Sequence, residues 1–192
     1  MNARRIAVLL ALCPALADAH LIETGLGPVY DGITHFALTP EDLLPAIALA
    51  VFAGLKGKAH ARRAIFVLPI AWLLGGVAGV WVAMAVPDSL AWLPLLMMGG
   101  LVAADPRLSR RATTAIAAVL GIVLGYANGC AMAQAGAGMR GVAGVAAGVF
   151  VIATLASAGA AARQAGWMRI AWRVAGSWIA AGGLLSLGWS LR

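Results

Sequence analysis

Apolar runs approaching twenty residues recur along most of this chain, separated only by short polar connections. A helix rising about 1.5 Å per residue needs roughly twenty apolar residues to cross a hydrocarbon core of about 30 Å. A soluble core of this size would neither need nor tolerate so many. Hydrophobic residues make up 62% of the sequence and charged residues 11%, which places the chain as an all-α integral membrane protein. With 192 residues and short loops it has room for one compact bundle and no appended soluble domain, so function must reside in the membrane part.

The first nineteen residues read as a removable leader. Arg4 and Arg5 form a basic n-region, Ile6 to Ala17 an apolar h-region too short to span a bilayer, and Ala17-Asp18-Ala19 an A-x-A cleavage site. Cys13 raises a lipoprotein reading, but Leu12 stands before it where a small residue is wanted. Cleavage leaves Cys130 as the one cysteine, so no internal disulfide can form. The expected organisation is a signal peptide over 1–19, a periplasmic segment over 20–38 with room for a short or re-entrant helix, and a transmembrane bundle over 39–192.

About six spans are expected: Thr39 to Leu55, Ala64 to Val86, Leu90 to Ala104, Ala112 to Met132, Val142 to Ala162 and Ile170 to Trp189. The first and third are short for the core thickness. Lys56, Lys58, Arg62 and Arg63 follow the first span, Arg107, Arg110 and Arg111 the third, and Arg163, Arg169 and Arg173 surround the fifth connection. The other side holds only Arg140 and Arg192. By the positive-inside rule the basic side is cytoplasmic and the mature N-terminus lies outside, as a cleaved leader also requires. Glu23, Asp31, Glu41, Asp42 and Asp88 then make an acidic outer mouth that concentrates cations. The basic pI of about 10.8 reflects cytoplasmic anchors; cations split among short loops, with aromatics inside apolar runs, do not make a nucleic-acid surface.

Gly121, Gly125 and Gly129 repeat every four residues, as do Gly75 with Gly79 and Gly144 with Gly148, a spacing that lets helix backbones approach closely. Trp72, Trp81, Trp92, Trp167, Trp172, Trp178 and Trp189 read as interfacial anchors. His60, among Lys58, Arg62 and Arg63, reads as a solvated loop residue.

The segment from Gly27 to Leu44, GPVYDGITHFALTPEDLL, carries most of the chemistry. His35 with the carboxylates of Asp31, Glu41 and Asp42, just before an apolar run, is a donor set suited to a divalent first-row metal. The same residues also serve a structural purpose. Thr39 is a good N-cap, Pro40 an ideal first helical residue, and Asp42 completes a capping box at the positive helix end. His20, as a mature N-terminus, would pair an α-amine with an imidazole beside Glu23. In the fourth span Asn128 and Met132 share a helical face with Cys130 on the same turn, and with Gln134 they could form a far wall of weak or soft ligands, or simply pack through an interhelical Asn hydrogen bond.

The Gly27 to Leu44 segment resembles the HupE/UreJ family of bacterial membrane proteins, regarded as secondary nickel and cobalt permeases linked to hydrogenase and urease maturation. The family's signature there is a histidine, five residues, then Asp-His. Here His35 is followed by Phe36 to Pro40 and then Glu41-Asp42, so the acid is kept and the second histidine is replaced by Asp42. A second family motif places two histidines at i and i+4 in a glycine-rich helix. Its best match is Asn128-Gly129-Cys130-Ala131-Met132, without either histidine. The resemblance implies a divergent second branch.

What this implies is a secondary permease for a divalent transition-metal cation, nickel or cobalt, with copper and zinc not separable by ligand type. No permanently bound cofactor is expected; the expected partners are the metal ion, the bilayer, and either a second copy or metalloenzyme-maturation proteins. The sequence has no G-x-x-x-x-G-K-[ST] loop for ATP. The membrane potential suffices, because a divalent cation gains roughly 4.6 kcal/mol per 100 mV, about a thousandfold accumulation. The alternative class is a membrane accessory or metal-sensing subunit that binds metal or a partner without transporting it. Catalysis ranks below both, since neither a nucleophile-base pair nor a three-histidine set is present.

Overall fold

The computed structural model describes residues 24–84, 87, 90–162 and 166–191. The expected leader with its A-x-A sequence, His20, Glu23 and Asp88 lie outside the described residues. Those described form helices without strands: α1 (Pro28–Leu38), α2 (Pro40–Leu55), α3 (Lys58–Val82), α4 (Trp92–Ala104), α5 (Arg110–Gln134), α6 (Gly138–Ala162) and α7 (Gly166–Ser190).

Each expected apolar run is helical over most of its described residues, but the runs differ in reach. Helices α3, α5, α6 and α7, of 25 residues each, are long and apolar enough to cross a membrane. The first expected span is α2 alone, 16 residues, and it qualifies only together with α1, from which it departs by 75°. The third is α4, 13 residues and so roughly 20 Å long, short of the core as its sequence length implied.

The bundle is organised by glycines. Gly121, Gly125 and Gly129 of α5 lie against the carbonyls of Leu68, Trp72 and Gly76 on α3, and Gly75 and Gly79 of α3 answer against Ile122 and Tyr126 of α5. Residue numbers rise together on both helices, so the two run parallel, and a Cβ at any of these positions would strike the partner's backbone. Gly32 of α1 meets the Gly141 carbonyl of α6, while Gly144 meets that of Val29. Helix α4 pairs antiparallel with α7, where Gly99 faces Gly176 and Ala180, and Gly183 faces Leu96. Helix α2 runs through the middle, with Ala46, Leu49, Ala50, Phe52 and Ala53 completely buried, and Ser157 Oγ of α6 donates to its Ala50 carbonyl at 3.0 Å.

Two expectations about single residues are corrected. Trp72 is no interfacial anchor: it is completely buried midway along α3, a helix packed against α5 and α6, and lies edge-on to Phe36 of α1 with ring centroids 5.6 Å apart. His60 is no loop residue. Helix α3 begins at Lys58, ahead of the apolar run, and both ring nitrogens of His60 are buried without a hydrogen-bond partner among the described residues. The α3–α5 register that sets 72 against 125 and 68 against 121 carries His60 level with buried Thr113.

Candidate functional site

The break between α1 and α2 builds the site. Thr39 leaves the helical region at φ −101° and ψ 97°, and Pro40 restarts the chain as the first residue of α2. The capping box expected of Thr39 is absent. The Thr39 hydroxyl donates backward to the His35 carbonyl at 2.7 Å, satisfying the last turn of α1, and no side chain caps α2. The bend aims the first turn of α2 into the bundle, so Asp42, expected to face an aqueous mouth, is buried at 6% exposure.

There Asp42 meets Asn128, 86 positions away in sequence. Asn128 Nδ2 donates to Asp42 Oδ2 at 2.8 Å and to the Leu124 carbonyl at 3.0 Å. Both partners are acceptors, which fixes the amide: its NH₂ must face them and its oxygen must face away. That oxygen, Asn128 Oδ1, is buried without a hydrogen-bond partner among the described residues. In an apolar bundle such groups are costly, and a carboxylate held against an amide is one arrangement that keeps the cost down. The interhelical hydrogen bond expected of Asn128 is thus made, and its partner is Asp42.

The remaining candidates distribute around this pair. Glu41 is exposed and His35 half-buried on the α1 side of the break. Asp31 Oδ1 accepts from Thr24 N and Thr24 Oγ1, both at 2.7 Å, which ties the start of α1. Met132 is completely buried, its sulfur against Gly141 of α6, and Gln134 is exposed at the end of α5. Cys130 turns away from Asp42 towards α3, with its thiol against the carbonyls of Gly79 and Met84 at 3.5 and 3.4 Å. Among the described residues no three His, Cys, Asp or Glu side chains gather closely enough to hold a metal ion. His35, Glu41 and Asp42 therefore flank the break, with Asp31 at the far end of α1, and do not form a closed cage.

A second polar cluster, unseen in the sequence, closes the opposite end. Lys56 at the end of α2 reaches the carboxylate of Asp105 at 2.6 Å and its carbonyl at 3.1 Å, with its ammonium 4.8 Å from the Phe52 ring. Arg169 of α7 takes the other carboxylate oxygen at 2.5 Å, and Arg173 donates to the Ala103 carbonyl at 2.7 Å. Burial works against the Asp105 charge, but the hydrogen bonds and charges of Arg169 and Lys56 outweigh it and hold the carboxyl below the usual aspartate value. Asp105 thereby joins the ends of α2 and α4 to the start of α7, setting members of all three basic connections at one end of the bundle.

The fold and site together define a multi-pass α-helical membrane protein with a broken helix and a buried carboxylate–amide contact at the break. The sequence profile of the HupE / UreJ protein family matches residues 7–186, nearly the whole chain. The chain belongs to this family, whose members are membrane transporters or accessory proteins associated with nickel or cobalt transport or with metalloenzyme maturation. Comparison with curated proteins and with solved structures found no match.

Proposed function

We propose that this chain is a secondary permease for a divalent transition-metal cation, nickel or cobalt, in a bacterial inner membrane with its mature N-terminus periplasmic. The observation that carries the reading is the Asp42–Asn128 contact. It holds a carboxylate and an unpartnered amide oxygen inside an apolar bundle at a helix break, the kind of place where interrupted helices of carriers hold ions. Exposed Glu41 and half-buried His35 stand before it as capture groups, with Asp31 and, further out in sequence, Glu23 and His20 adding to an acidic entry. The basic connections at the opposite end support a cytoplasmic placement there, so an entering cation moves down the membrane potential.

The test is uptake of radioactive nickel, cobalt, copper and zinc by cells expressing the chain, since imidazole and carboxylate donors alone do not separate these metals. His35→Ala and Asp42→Asn should each abolish uptake while leaving the protein folded and inserted. Wild-type uptake in both variants would remove these residues from the pathway. A wild-type chain that binds metal without uptake would instead be a non-transporting accessory or metal-sensing subunit.

A further inference from the structure

The first turns of α3 carry charge of the wrong sign for their position. A helix start is the positive end of the backbone dipole and favours acids. Helix α3 nevertheless opens with Lys58, Arg62 and Arg63, has no acid in its first turn, and no side chain caps it. Lys56 is committed to Asp105, but among the described residues neither Lys58 nor Arg62 pairs with a carboxylate.

Lys58 and Arg62, one turn apart, border a groove of about 720 Å³ between the start of α3 and the end of α6. Its floor is Ala61 and Ile65 from one helix and Ala158 and Ala161 from the other. The one hydroxyl in the lining, Ser157, is spent on the Ala50 carbonyl. The groove thus offers uncompensated positive charge at the membrane-surface end of a spanning helix and a smooth apolar trough leading away from it. We propose that this groove is a binding site for one anionic phospholipid of the surrounding leaflet, its phosphate held by Lys58 and Arg62 and the start of α3, its acyl chain lying over Ala158 and Ala161. A zwitterionic lipid would bring its own cation to the same place, and a free phosphate would leave the trough empty; charge and shape together select the anionic lipid. The site stands apart from the α1–α2 break and does not depend on what the protein transports.

The test is native mass spectrometry of the full chain in mild detergent, titrated with phosphatidylglycerol and, separately, with phosphatidylcholine. One phosphatidylglycerol should bind with clear preference. Each near-surface cation contributes about 1 kcal/mol, so Lys58→Gln with Arg62→Gln should weaken it about thirtyfold. Arg110→Gln with Arg111→Gln removes as many exposed charges from the start of α5, residues that do not line this groove, and should leave this affinity unchanged. Ala158→Trp, which fills the trough without altering charge, should also expel the lipid, and millimolar inorganic phosphate should not. Equal losses in the two double variants, equal binding of phosphatidylcholine, full binding by Ala158→Trp, or displacement by phosphate would each overturn the proposal.

Discussion

Removing both partners of the Asp42–Asn128 contact should cost less than the sum of removing each alone. In Asp42→Leu the Asn128 amide keeps its bond to the Leu124 carbonyl but loses the carboxylate, adding a vacant donor to an oxygen already without a partner. Asn128→Leu leaves Asp42 against a hydrocarbon side chain. An unsatisfied buried polar group costs about 1–3 kcal/mol, whereas replacing both partners by apolar groups is close to neutral. Between membrane helices such pairs couple by about 0.6 kcal/mol on average and about 1.7 at most. Since Asp42 and Asn128 are only 6% and 3% exposed, leaving little room for water to replace the lost bond, the coupling should fall in the upper half of that range. It can be read from SDS-induced unfolding of the two single variants, the double variant and the wild type in detergent, extrapolated linearly. Asp42→Asn keeps a carbonyl for the Asn128 NH₂ and should cost less than Asp42→Leu. If the double variant loses the sum of the singles to within about 0.3–0.5 kcal/mol, the residues do not touch and the argument from burial fails.

The glycine contacts predict a contrast within one residue type: Gly125→Ala, whose Cβ would strike the Trp72 carbonyl, should cost about 1–3 kcal/mol, while Gly100→Ala, with open space around it, should gain about 0.4–1 kcal/mol by the same unfolding assay. Asp105→Ala strands Lys56, whose side chain is 9% exposed, and should cost about 3 kcal/mol. Because the folded carboxyl lies below its unfolded value of about 3.9, the contribution of Asp105 should be complete above that pH and disappear only as pH falls through the lower, folded value. The readout is the stability difference between wild type and Asp105→Ala, and a difference that grows on acidification from pH 5 would contradict this. A periplasm-dependent reporter should be silent after Lys58, Arg110 or Gln164 and active after Ser89 or Gly138; activity at Arg110 with silence at Ser89 would invert the orientation. Mass spectrometry of the purified protein should place the mature N-terminus at His20, and an intact Met1 would make the leader an anchor.

The helices were legible because their length and apolar content are written locally, and the glycine contacts because a four-residue repeat can mark only one face of a helix. Long-range pairing was not. Asp42 and Asn128 each stood out as polar groups in apolar surroundings, yet nothing local joins residues 86 positions apart. Lys56 and Arg169 could be sorted to one side by charge asymmetry, but counting cations does not reveal that Asp105 binds both. Thr39-Pro40-Glu41-Asp42 misled for a different reason. The motif states which hydrogen bonds a helix start could make, and the 75° turn away from α1 decided otherwise by giving the Thr39 hydroxyl a nearer acceptor and Asp42 a partner inside the bundle. Trp72 was misread because a tryptophan near the middle of a span needs neighbouring helices to cover it, and nothing local shows that α5 and α6 pack there with Phe36 against the ring.

The parallel course of α3 and α5 also bears on how the protein is made. Helices emerge from the ribosome in order, and α3 must wait for α5, roughly fifty residues behind, before its glycine face is covered. In the meantime α4 does not fill the vacancy: its glycine-lined contacts are with α7, which is synthesised last. Two early helices therefore sit in the lipid with their closest-packing faces unpartnered until late ones arrive. Chains arrested before Gly166 should expose α4 to membrane proteases and quality-control factors, and full protection should come only when α7 has been released.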